Sequence, residues 1–205
     1  MKVNIVYLNH QGKENIAEVV GMFSLEKGPL KFELLEIDSN SAYFQLHRQL
    51  EKISLDDLNN LSECIREDFK VSEKDFVVIV TSKSLVTPTH SFQSPKDWYS
   101  FYSHQNIIVK SGGWDKITEG KPYLGIAHQI IENIFQNLGN FDLYSMRFGD
   151  WIHKEIEVCV NDFCEKPNET KSKIRSGHIC KPCTSSALNF TSNDYVIQIK
   201  NILVR

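Results

Sequence analysis

The 205-residue chain has no run of about 18 apolar residues, so the sequence predicts no membrane-spanning helix. It has no basic excess either: 23 Lys and Arg stand against 26 Asp and Glu, giving a net charge of -3 and a pI near 6.2. A dedicated nucleic-acid binder needs a basic face to neutralise phosphates, and this balance argues against one. The first residues, Met1 to Leu8, carry one lysine and a short apolar stretch, then turn polar at Asn9. A secretory leader needs a longer apolar region and a small-residue cleavage site, so a cytoplasmic protein is expected. Internal repeats and low-complexity tracts are absent. Disulfide-type cysteine usage is missing as well. There are five cysteines, an odd number, and four of them crowd between 159 and 183, which favours a metal over disulfides.

What is present is material for a core, since 41% of residues are hydrophobic. Lys2–Leu8 alternates and is rich in β-branched residues, which predicts a strand. A helix over Glu14–Phe23 follows Gly12, with Ile16, Val19, Val20 and Phe23 on one face. Lys31–Ile37 predicts a second strand. Ser54 with Asp56 and Asp57 marks a helix start, and that helix runs to Phe69. Phe76–Val80 is a continuous apolar run suited to a buried strand, and Asn106–Lys110 predicts another. Between them, residues 81–105 read as one long irregular loop carrying His90, His104, Trp98, Tyr99, Phe101 and Tyr102. Such a loop either binds something or is pinned to the core by its aromatics. Pro122 opens a helix to Leu138, ended by Gly139 and Asn140. A last helix over Tyr195–Val204 follows the cap cluster Ser192–Asp194. The order β-α-β-α-β-loop-β-α-zinc-α is an α/β layout, divided as an α/β domain over residues 1–149 and a zinc-binding module over residues 150–205 packed on it.

Cys159 and Cys164 are separated by four residues, Cys180 and Cys183 by two, and fifteen residues lie between the pairs. Zinc takes four ligands in a tetrahedron, and a pair two apart supplies two of them from one tight turn. The expected ligands of one structural Zn2+ are therefore Cys159, Cys164, Cys180 and Cys183. Four thiolates leave no open position for chemistry. His153 and His178 are nearby alternative ligands, and Cys64 reads as a core residue. Between Cys164 and Cys183, the cations Lys166, Lys171, Lys173, Arg175 and Lys181 outnumber Glu165 and Glu169 and form a modest basic patch without aromatic platforms. Nucleic-acid binding through them is a weak alternative. Ser111-Gly112-Gly113 lacks the lysine of a phosphate loop and reads as a strand-ending turn.

His128 and Glu132 are four apart on the Pro122 helix, so they share a face and could touch one metal. This helix, followed downstream by the two cysteine pairs, resembles the zincin metallopeptidases of the archaemetzincin type. In that family the helix carries His-Glu-x-x-His and then a third His. Two of the histidines hold a catalytic zinc, the Glu is the general base, and a separate four-cysteine zinc site follows. Here His128 matches the first ligand, but Gln129 stands at the base, Glu132 at the second His and Leu138 at the third. The stretch from Cys159 to Cys180 also resembles a C-terminal zinc module of bacterial conflict and antiviral-defence proteins. These resemblances imply a zincin-like mixed sheet with covering helices that has kept a structural zinc and lost catalysis. The implied role is a non-catalytic recognition or regulatory subunit of a bacterial defence or signalling assembly, bound to a protein partner or effector subunit, with no membrane. The competing expectation is an active metal-dependent hydrolase using His128 and Glu132.

Overall fold

The computed structural model describes residues 1–9, 12–86, 99–141, 153, 155–164 and 166–205. Four parallel strands and one antiparallel edge strand form its main sheet. β1 (Lys2–Tyr7) pairs with β2 (Lys31–Leu34) on one side and β4 (Phe76–Thr81) on the other; β7 (Asn106–Lys110) lies beside β4, and β6 (Ser100–Ser103) closes the edge antiparallel to β7. A two-residue pair, β3 (Lys52–Ile53) with β5 (Ser84–Leu85), lies apart from it.

Helices cover both faces, and the strand pleat sorts the core between them. Val3, Ile5, Val78, Val80, Ile107 and Val109 point to the side of α1 (Lys13–Ser24), α4 (Pro122–Leu138) and α7 (Asn193–Leu203). Their neighbours Val6, Val77, Ile79 and Ile108 point to the side of α2 (Ala42–Gln49) and α3 (Leu55–Phe69). This is the period-2 consequence of burial on both faces, and it explains why these strands read as unbroken apolar runs. The first cluster continues without a break into the cysteine region: Cys159, Val160, Ile179, Cys180, Cys183 and Ala187 belong to it. That region also contains α5 (Pro167–Ser176) and α6 (Lys181–Ala187). No described helix is long and apolar enough to cross a membrane.

The α/β class stands, and the helix starting at Ser54 has the expected cap. The Ser54 side chain accepts from Asp57 N, and the Asp57 carboxylate accepts from Ser54 N at 2.8 Å. Several expectations need correction. The second strand stops at Leu34, where its pairing with Ile5 of β1 ends. Residues 81–105 are not one irregular loop, because β5 and β6 fall within them. Their described aromatics are core residues: Phe101 and Tyr102 are buried, and the Tyr99 ring lies 4.3 Å from that of Trp114. His90 and Trp98 lie outside the described residues. The short helices α2, α5 and α6 have no counterpart in the sequence reading. α2 and α6 are too brief for periodicity to reveal, and α5 is too polar.

α4 is the element that carries His128 and Glu132, and its glycine lets Trp114 pack closely against it. Trp114 is fully buried beside it, and its indole N–H donates to Lys110 O at 2.8 Å. A Cβ on Gly125 would stand 2.2 Å from the Trp114 ring. Gly125→Ala gains about 1 kcal/mol of helix propensity but incurs an overpacking cost of about 1–3 kcal/mol. The expected net result is a lower unfolding free energy, read by denaturant titration with zinc held constant.

Candidate metal centre

The cysteine region is built around tight turns that aim donors at one point. Gly177 ends α5 with φ +54, and a Cβ there would meet Leu203 O at 2.1 Å, so both the conformation and the contact require glycine. The next residues pair His178 O with Val160 N at 2.8 Å, which sets Cys159 beside Cys180. α6 then starts at Cys180, whose sulfur accepts from Cys183 N at 3.4 Å.

The ligand atoms of His153, Cys159, Cys180 and Cys183 all lie within 4.8 Å of one another. His153 Nε2 is 3.6 Å from Cys180 Sγ and 3.3 Å from Cys183 Sγ. A tetrahedral zinc with bonds of about 2.0–2.3 Å needs donors separated by roughly 3.5–3.8 Å, so the set suits one zinc ion. The surrounding bonds are those a thiolate site needs. Cys180 N donates to Cys159 Sγ at 3.4 Å, and Asn161 Nδ2 donates to Cys183 Sγ at 3.3 Å. Asp162 accepts from His153 Nδ1 at 2.8 Å and from Cys159 N at 3.0 Å. With its proton held on Nδ1 by that carboxylate, the imidazole presents the Nε2 lone pair to the sulfurs. The Cys159 thiol is drawn below its ordinary range, first by the bond from Cys183 and then by backbone donors, while the same bond and burial push Cys183 up. All three cysteines are buried, so the site has the closed character of a structural centre.

Three of the four expected cysteines lie in this cluster, and its fourth member is His153, named above as an alternative ligand. Cys164 is outside the cluster, with its thiol 3.7 Å from Asp162 O, and burial raises its pKa. His153 stands six residues before Cys159. The signal for it was Asp162, a carboxylate placed to orient an imidazole. His178, the other alternative, is exposed, and Cys64 is partly buried against the second core cluster.

The His128 helix is linked to this centre by a buried polar network. Lys173 on α5 places Nζ 3.0 Å from both carboxylate oxygens of Glu132, and it donates to Val160 O at 3.4 Å and Asp162 O at 3.1 Å. Gln129 donates to Glu132 at 2.8 Å while its carbonyl accepts from Ser100 at 2.6 Å. Gln136 donates to Glu132 and to Asn161, each at 3.4 Å. Burial by itself would raise the Glu132 carboxyl, but Lys173 outweighs it and holds the group below the usual carboxylate range. His128 Nδ1 approaches Glu132 to 3.4 Å, and its Nε2 has no hydrogen-bond partner. Burial lowers the His128 pKa against the pull of Glu132, so the ring is neutral and the approach is not an ion pair. Leu138, at the expected third-ligand position, packs on the core.

One cation of the expected basic patch is withdrawn from the surface. Lys173 is buried in this network, whereas Lys171 and Arg175 both bind Glu119, at 2.8 and 2.6 Å.

No protein-family model and no curated protein sequence matches the chain. Solved structures do. The fold is similar to the crystal structure of archaemetzincin from Methanopyrus kandleri, with a TM-score of 0.53 and 14% identity over 92% of this chain and 94% of that one. It is also similar to a zinc-dependent peptidase from Methanocorpusculum labreanum, with a TM-score of 0.50 and 10% identity over 90% of this chain and 99% of that one. At these identities the likeness is one of fold, an archaemetzincin-like α/β arrangement with the cysteine cluster at its C-terminal end.

The geometry separates the two candidate fourth ligands. Elemental analysis of chain purified without chelator is expected to find one zinc per chain, lost in Cys180→Ser and His153→Ala and retained in Cys164→Ser. Zinc lost with Cys164 and kept without His153 would restore the four-cysteine set.

Proposed function

We propose that this chain is a non-catalytic recognition or regulatory protein, a metallopeptidase-like scaffold whose single zinc is structural. The observation that carries the reading is the Lys173 ammonium seated 3.0 Å from both oxygens of Glu132. The resemblance seen in the sequence puts a metal ligand at that position. A divalent ion there would have to displace a buried cation already paired with the carboxylate, and without that displacement the two charges repel. Gln129 stands where a general base is needed. An amide has no basic site for the proton of a metal-bound water, and this one is occupied with Ser100 and Glu132.

The wider assignment, to a bacterial defence or signalling assembly with a protein partner, rests on the resemblance of the stretch from Cys159 to Cys180 to zinc modules of such systems. The competing reading is a hydrolase with a second metal on His128 and Glu132. What favours it is that His128 Nε2 has no hydrogen-bond partner.

Two measurements decide between them. The zinc-loaded chain is expected to cleave no peptide from a mixed library, and His128→Ala is expected to leave its metal content at one. A second metal lost in His128→Ala, together with cleavage lost in the same variant, would establish the hydrolase. Lys173→Met leaves Glu132 buried without its cation and is expected to cost about 3–5 kcal/mol of stability. The sign of the pH effect follows from the depressed Glu132 value. Its contribution is full above the unfolded 4.5 and is lost as pH falls through the folded value, so the deficit of Lys173→Met shrinks in acid.

A further inference from the structure

A cleft of about 290 Å³ opens beside the N-terminal half of α4, between α5, α7 and the turn that precedes α4, and His128 lines it. His128 is 5% exposed; its Nδ1 lies 3.4 Å from Glu132, and its Nε2 has no hydrogen-bond partner. A buried ring nitrogen without a partner is rare and costly unless something supplies the missing bond. The rim carries Lys121, Lys171 and Arg175 against one carboxylate, Glu119. Lys121 is exposed and makes no side-chain bond among the described residues. Glu119 serves both Lys171 and Arg175, so most of their donors remain available. Arg205, also at the rim, is matched by Glu26. The wall between rim and floor is apolar, formed by Ile117, Leu124, Ile174 and Leu203.

We infer that this cleft binds an apolar residue that bears a free carboxylate and an adjacent amide N–H, as in the C-terminal residue of a peptide or a small N-acylated amino acid. Each part follows from one surface. The excess of cations at the rim takes the carboxylate. The apolar wall takes the side chain, and the volume, near the lower end for ligand pockets, suits one residue. The neighbouring Glu132 carboxylate draws the His128 proton to Nδ1, which leaves Nε2 as a lone-pair acceptor. A ligand N–H is the group that completes it. This inference deepens the recognition reading by naming what is recognised, and it rests on His128 being free of metal.

The test is calorimetric titration of the zinc-loaded full chain with N-acetyl-leucine, with N-acetyl-leucinamide and with the tripeptide acetyl-Ala-Ala-Leu bearing a free carboxylate. The His128 ring nitrogen resonances are followed in parallel. Saturable binding of a free carboxylate is expected, with the amide weaker by at least about tenfold and the His128 Nε2 resonance moving on saturation. Lys121→Glu and Arg175→Glu, exposed rim changes that leave the core intact, are each expected to weaken binding by at least about tenfold. Tighter binding of the tripeptide assigns a peptide terminus, and equal binding assigns the small acid; both support the site. Equal affinity for the amide, an unmoved His128 resonance, unaffected rim variants or no binding up to about 10 mM would each overturn it. Failure here with one zinc per chain leaves the non-catalytic reading standing. A second metal on His128 removes that reading and this one together.

Discussion

A carboxylate cannot lie in the middle of a buried helix without a cation, and Lys173 is the cation that Glu132 has. Much of the C-terminal half is arranged around that pair. To reach Glu132, α5 must lie against α4, and the remaining donors of the ammonium are used by the carbonyls of Val160 and Asp162. Those carbonyls belong to the turn that presents Cys159, so the ion pair and the metal centre constrain each other. Gln136 and Asn161 make the same connection a second time, ending on the Cys183 sulfur. Hydrogen bonds as well as packing therefore connect α4 with the cysteines.

The metal centre stabilises this arrangement from the other side. Its ligands come from His153, from the turn at Cys159 and from the start of α6, and a zinc ion would tie these three segments to one another. The cysteines are at the same time members of the main hydrophobic cluster, continuous with β1, β4 and β7. A closed site of this kind contributes folding energy and offers no position for substrate. α4 presents a neutral imidazole at His128, the Gln129 amide and a Glu132 carboxylate paired with Lys173.

Legibility from the sequence followed the length and regularity of each signal. Phe76–Val80 and Asn106–Lys110 were readable because burial on both faces leaves no polar interruption. The Ser54 helix was readable because its cap residues are local in sequence. α2 and α6 span only two turns each, and α5 buries chiefly Thr170 and Lys173, so none of them shows an apolar stripe. The aromatics of residues 99–102 looked like a loop because a four-residue edge strand carries too few positions for alternation to register.

The sequence by itself determined the α/β class, the buried core strands, the long helix with His128 and a metal site made largely of the clustered cysteines. Each of these depends on residue spacing within a short stretch of chain. The tertiary structure decided which histidine joins the cysteine cluster, the partner of Glu132 and the cleft over His128. His153 joins the three cysteines with its ring held by Asp162, while Cys164 lies outside the cluster. Lys173 meets Glu132 across 41 residues of chain. Such pairings are set by which surfaces pack together, and spacing along the chain carries no record of that.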